Sequence, residues 1–215
     1  MRKNVLRSVL TVTAAGALAL TGTTTATATP AHTGPEHDTT LSLFRLKPVN
    51  DSRVRGIGVV ELDGTHASIR ITAFGVLRNH PHAQHFHIGG AGTCPTSAAD
   101  TNGDGVVSTV EGAPSYGGVG ASLTTTGDTS PDSALAVDRF PTAPRGLVRY
   151  HRSMDVSNAV ARDLRTGNAV IVLHGLDLNG SGTYDGAARS SLDPSLPLEA
   201  TAPASCGEAL TVRAG

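Results

Sequence analysis

Gly58-Val59-Val60-Glu61-Leu62-Asp63-Gly64-Thr65-His66-Ala67-Ser68-Ile69-Arg70-Ile71 decides the fold class of this 215-residue chain. β-Branched and apolar side chains recur on both sides of Asp63-Gly64, a dipeptide that tolerates the positive φ of a tight hairpin. The pattern predicts strands over residues 54–62 and 67–76, joined by that turn. Working outward, residues 41–46, 83–88, 120–126, 134–140, 146–151, 169–176 and 209–212 carry the same alternation or a short apolar run. Many short strands with turn residues between them predict an all-β domain, a Greek-key sandwich or barrel. One stretch has a different period. Val156, Val160 and Leu164 recur every four residues, between Asp155 as a candidate N-cap and Gly167 as a stop. This predicts a single short helix over residues 156–165. Residues 89–118 are rich in Gly, Ser, Thr, Asp and Pro, and a loop of that length is usually functional or ordered by a ligand.

The N-terminus reads as an export signal. Arg2, Lys3 and Arg7 precede an apolar stretch at residues 9–20, and Ala26-Thr27-Ala28 fits a small-residue cleavage site. The apolar run is shorter than the roughly 20 residues of a stable membrane anchor. The expected organisation is a signal peptide over 1–28, a polar leader over 29–38 and one β domain over 39–215. The mature protein is then secreted, with no insertion into a membrane. A net charge of -1, with scattered Lys and Arg, argues against nucleic acid as a partner. Cys94 and Cys206 are the two cysteines, and an even count in an exported chain predicts a disulfide. Closing so long a loop contributes about 4–5 kcal/mol on the chain-entropy account.

Two constellations carry chemistry. In His80-Pro81-His82-Ala83-Gln84-His85-Phe86-His87, His85 and His87 are two apart on a strand and share a face. His174 ends the apolar run Val170-Ile171-Val172-Leu173 and supplies a third candidate imidazole. Imidazole nitrogen suits copper and zinc, so these three form a candidate transition-metal set. Hydrogen-bonded histidines serving the fold alone are the competing reading. His66 and His151 stand apart and read as surface residues. The second constellation is a calcium loop beginning at Asp100. Asp100, Asn102 and Asp104 fall at positions 1, 3 and 5, Gly105 at 6, Val106 (carbonyl) at 7, Ser108 at 9 and Glu111 at 12. Gly112 and Pro114 follow at once, so the loop is expected without flanking helices. A second segment, Asp177-Leu178-Asn179-Gly180-Ser181-Gly182-Thr183-Tyr184-Asp185, shares the early spacing but has Ala188 at position 12, and a hairpin turn at Asn179-Gly180 is favoured there. No Gly-x-Ser-x-Gly or phosphate-binding glycine loop is present.

His82-x-x-His85-x-His87, then Cys94, His174 and Ala204-Ser205-Cys206-Gly207, together resemble the copper,zinc superoxide dismutase pattern. The segment 158–174 resembles the CHRD domain, in which a short helix leads into a strand ending in His. The resemblance implies a dismutase-like Greek-key fold, copper at His85, His87 and His174 with His82 as a supporting residue beside them, and a Cys94–Cys206 bridge. Together with the calcium loop, it points to two functions. One is a secreted metal-binding module, calcium-stabilised, with copper or zinc on the histidines. The other is a copper-dependent oxidoreductase that dismutes superoxide. The departures bear on the second: only His151 lies between His87 and His174, and Pro203 stands where the family carries an Arg before its second Cys. The zinc site, anion guidance and proton relay of that enzyme are therefore in doubt.

Overall fold

A computed structural model describes residues 39–213. The expected signal peptide and leader lie outside the described residues. The hairpin that opened the sequence reading is β2 (Arg55–Asp63) and β3 (His66–Phe74), paired in register from Arg55↔Phe74 to Asp63↔His66. Gly64 turns between them at φ 58°, a left-handed value that favours glycine. The other strands are β1 (Thr40–Pro48), β4 (Gln84–Gly89), β5 (Gly117–Ser122), β6 (Leu147–Asp155), β7 (Val170–His174) and β8 (Pro203–Arg213). All pair antiparallel in the order β5-β4-β7-β8-β1-β2-β3-β6. The chain crosses over after β3, after β5 and after β6, as Greek-key connections do. The sheet curls into a half-barrel. Beyond β5, the Thr124 carbonyl accepts bonds from Tyr150 (3.2 Å) and Arg152 (2.8 Å) of β6.

Alternation decides which side chains fill the interior. On β1 the inward set is Thr40, Ser42, Phe44 and Leu46, leaving Leu41 and Leu43 exposed. The two faces of that strand are nearly equal in apolar content, and position in the sheet makes the choice. Ser42 is used inside: its hydroxyl donates to the Leu164 carbonyl of α2 (Asn158–Thr166). Phe44 faces Phe86 of β4 with ring centroids 6.2 Å apart. Ile69, Ile71, Leu164 and Ile171 complete the centre, and each fully buried side chain of this size contributes about 1.5–3 kcal/mol. The Cys94–Cys206 disulfide joins the loop after β4 to β8 across a sequence separation of 112.

Several local expectations change. The helix predicted over 156–165 is α2, but its cap is Ser157, which accepts from Val160 N–H, while Asp155 ends β6. Gly167 stops it as predicted, at φ 80°. Residues 134–140 do not form a strand. They follow the 3₁₀ turn at Pro131–Ser133 and contain a second at Val137–Arg139, because local polar groups close the loop on itself. Arg139 donates to the Thr126 and Asp128 carbonyls and to Ser133 Oγ. The strand predicted over 120–126 is shifted to Gly117–Ser122. The 89–118 segment contains helix α1 (Thr109–Tyr116), despite Gly112 and Pro114. Ser108 and Glu111 form a reciprocal capping box that starts it, and Gly112 leaves room for the Tyr116 ring. A methyl group at Gly112 would sit 2.5 Å from that ring. A third helix, α3, is a single turn at Leu198–Thr201.

Candidate metal centre

His85 and His87 project from one face of β4, and His174 closes the neighbouring strand β7. Sheet irregularities aim them. The β4–β5 register shifts between Phe86 and His87, and the β7–β8 register shifts between Leu173 and His174. Such bulges twist a strand locally and redirect a side chain. The rings meet with centroids 5.7 Å apart for His85–His87, 5.1 Å for His85–His174 and 5.9 Å for His87–His174. One ring nitrogen of each lies within 4.8 Å of the others. Among the described residues, this is the one group of three or more His, Cys, Asp or Glu side chains whose donor atoms converge in this way.

Each imidazole is fixed by a carbonyl behind it. His85 Nε2 donates to Ala134 O (3.1 Å), His87 Nδ1 to Gly117 O (2.9 Å) and His174 Nδ1 to Thr201 O (2.6 Å). A proton held on that nitrogen leaves the opposite one with a free lone pair. Those opposite atoms, His85 Nδ1, His87 Nε2 and His174 Nε2, are buried and have no hydrogen-bond partner. Three unpaired acceptors buried together are costly unless something binds them. Burial also keeps the rings neutral. It pushes His87 down to about 4 and His174 to about 3, and holds His85 well below its ordinary value, with His174 and His87 adding repulsion there. Neutral nitrogen, singly protonated on the far side, is the ligating form. The donor set thus fits copper or zinc on the evidence of its own orphaned atoms.

The surrounding residues had little signature in the sequence. Tyr116 of α1 lies against His87, with ring centroids 4.5 Å apart. Thr109, at the start of α1, donates to the same Thr201 carbonyl that receives His174. His82 is fully buried but lies outside the convergent set. Its Nδ1 faces the His174 carbonyl (3.0 Å) and its Nε2 the Leu77 carbonyl (2.9 Å), with Tyr184 Oη 3.1 Å from Nδ1. It therefore braces the end of β7. His66 is exposed, beside Asp155.

The loop beginning at Asp100 shows no evident cation site. Its oxygens accept the loop's own amides: Asp100 takes Gly103 and Gly105 N–H, Asn102 takes Asp104 N–H, and Asp104 takes Val106 N–H. Glu111 takes Ser108, Asn102 and Thr101 N–H, and the Ser108 amide, helped by Asn102 N–H and the Ser108 and Thr101 hydroxyls, lowers its carboxyl to about 2. Val106 is half-buried, and Ser108 serves as the cap of α1. The segment after Asp177 is not a hairpin turn, since no strand follows β7 until β8. Its missing carboxylate comes from elsewhere in the chain. Glu199 of α3, buried to 1% exposure, accepts Leu178, Asp185 and Gly186 N–H. In both loops, a glutamate thus bridges the amides of the second and ninth residues. No family model matches the chain, and no curated protein matches it at a significant level.

Proposed function

We propose that this protein is an exported metal-binding module that holds one copper or zinc ion on His85, His87 and His174. The observation that carries the reading is the trio of buried, unpartnered nitrogens on rings whose other nitrogens are tied to backbone carbonyls. A fold role alone accounts for one hydrogen bond per ring. It does not account for three open acceptors meeting in one buried place. When bound, copper would supply a redox couple there, and zinc a Lewis acid. The chain's part is to fix ring orientation, keep the nitrogens unprotonated and exclude bulk water.

Two further elements belong to the same proposal. Calcium in the Asp100–Glu111 loop is supported by the match at every constrained position, and each carboxylate oxygen that accepts an amide keeps a second lone pair. Export to an oxidising compartment is supported by the disulfide and by the N-terminal pattern. No helix among the described residues is long and apolar enough to cross a membrane. The likeness to CHRD and copper,zinc dismutase proteins is supported by the histidine pattern and the Cys94–Cys206 bridge. The test is metal content. Purified untagged protein, loaded and dialysed, should retain about one copper or zinc per chain, and the H85A/H87A/H174A protein none. Equal retention by both would overturn the assignment.

A further inference from the structure

Glu199 is buried to 1% exposure, and no cation accompanies it. Its Oε1 accepts Leu178 N–H (2.8 Å), and its Oε2 accepts Asp185 N–H (2.9 Å) and Gly186 N–H (2.8 Å). A side chain at Gly186 would fill this approach, since a methyl there would sit 3.0 Å from the Glu199 carboxyl carbon. Asp177, at the start of the same loop, keeps one oxygen out of reach of any partner. Its Oδ2 accepts Gly182 N–H (3.1 Å), whereas Oδ1 is shut off from solvent and has no hydrogen bond. Among the described residues, no ion pair involves Asp177, Asp185 or Glu199. Carboxylates taken out of water are held by a cation or a metal, and amides alone leave their charge uncompensated.

The other oxygens of the loop crowd together. Ser181 Oγ lies 2.8 Å from Asp185 Oδ1 and 3.2 Å from the Thr183 carbonyl oxygen. Neighbouring oxygens about 2.4 Å from one calcium ion are ~3 Å from each other, so these are the spacings of adjacent ligands. Their order along the chain is that of a calcium loop. Asp177, Asn179 and Ser181 hold positions 1, 3 and 5, Gly182 turns at position 6 with φ 86°, and the Thr183 carbonyl and Asp185 stand at 7 and 9. Ala188 at position 12 has no ligand atom in its side chain. Glu199 stands in for it, bridging the amides of positions 2 and 9 as Glu111 does in the Asp100 loop. We propose that Asp177, Asn179, Ser181, the Thr183 carbonyl, Asp185 and Glu199 form a calcium site whose closing carboxylate comes from a separate element, α3. The site rests neither on the histidine reading nor on calcium at Asp100. It begins three residues after His174 and ends at Glu199, two residues before the Thr201 carbonyl that holds the His174 ring.

Terbium(III), an oxygen-seeking stand-in for calcium whose emission is sensitised by a nearby tyrosine, tests this on the full chain stripped of metal. Tyr184 is position 8 of this loop, and the Asp100–Glu111 loop contains no aromatic residue. Terbium excited through tyrosine should emit, calcium should displace it, and Tyr184→Phe should remove most of the signal. Asp177→Asn, Asp185→Asn and Glu199→Gln should each weaken calcium at this site by at least about tenfold, the usual cost of disturbing a metal's ligand shell. Asp185 is half-buried at the loop surface, so its variant keeps the test open if Glu199→Gln fails to fold, and circular dichroism checks each variant. Glu111→Gln should change the tyrosine-sensitised signal by less than about twofold, because the ligand charge at this site is untouched. Emission that calcium cannot displace, or that survives both Asp177→Asn and Asp185→Asn, would overturn the site. Emission lost with Glu111→Gln and kept by those two variants would place the ion in the Asp100 loop and overturn it equally. Calcium missing from the Asp100 loop alone would instead leave one ion per chain, still sensed by Tyr184.

Discussion

A histidine taken out of water stays neutral unless something stabilises its charge, and three placed together oppose protonation of one another. That is the condition of His85, His87 and His174, whose folded values all lie below the ordinary 6.5. The sign of the consequence is fixed. Below pH 6.5 the unfolded chain binds protons that the folded chain refuses, so metal-free stability is complete above that pH. It falls as the pH drops toward the folded values of about 4 for His87 and 3 for His174. Each such group adds at most about 1.4 kcal/mol per pH unit to the slope. Urea unfolding of metal-free protein at pH 7, 6 and 5 should show this loss, and His87→Gln should make the slope shallower. A pH-independent midpoint across that range would contradict the burial argument. At this scale the sequence was informative about the histidine cluster. The two-residue spacing put His85 and His87 on one face, and the polar end of an apolar run marked His174. It was silent about Ala134, Gly117 and Thr201, because their contribution is a backbone carbonyl, which every residue has.

Helix α1 connects the two regions that chemistry singled out. Its first turn is capped by Ser108 and Glu111, its Thr109 shares a carbonyl with His174, and its Tyr116 rests on His87. Glu111 is also the last position of the proposed calcium loop. Ordering that loop therefore steadies the wall of the histidine site, and linkage requires the effect to be mutual. In millimolar calcium the wild type should melt higher than with chelator, and Glu111→Gln should remove most of that gain. A wild-type melt indifferent to chelator would remove calcium from the account. Glu199→Ala is expected to cost about 2–4 kcal/mol in any buffer, because it strands the amides of Leu178, Asp185 and Gly186. Thermal or urea melts measure it. The misread elements share a cause. Residues 134–140 alternate like a strand but serve as turns, and α1 hides behind a glycine and a proline. Local polar closure by Arg139 outweighed the apolar period in the first case, and the Ser108–Glu111 box outweighed the two helix breakers in the second.

Over the whole molecule, the half-barrel sets the distances that matter. β4 and β7 are neighbours although residues 90–169 lie between them in the chain, because the intervening segments leave and re-enter the sheet through crossovers.

 The register Gln84↔Leu173 through His87↔Val170 then brings the two histidine-bearing strands together, which no local pattern in the chain announces. The alternation in β2 and β3 and the Asp63-Gly64 turn made the all-β class legible. The order of strands was not, because it depends on which edges remain free once the first hairpin has formed. The Cys94–Cys206 bridge ties the loop after β4 to β8 next to this site. Replacing both cysteines by serine is expected to cost about 2–5 kcal/mol, read from urea unfolding under non-reducing conditions. An unchanged midpoint would show that the bridge constrains little.

The central claim is that His85, His87 and His174 bind one metal ion together, and electron paramagnetic resonance of the protein carrying one equivalent of copper(II) tests it most directly. The account predicts a single copper species whose nitrogen couplings require three imidazoles, and the loss of that species in His174→Ala, which leaves the His85–His87 pair in place. A spectrum of weakly held, heterogeneous copper, unchanged by His174→Ala, would contradict it.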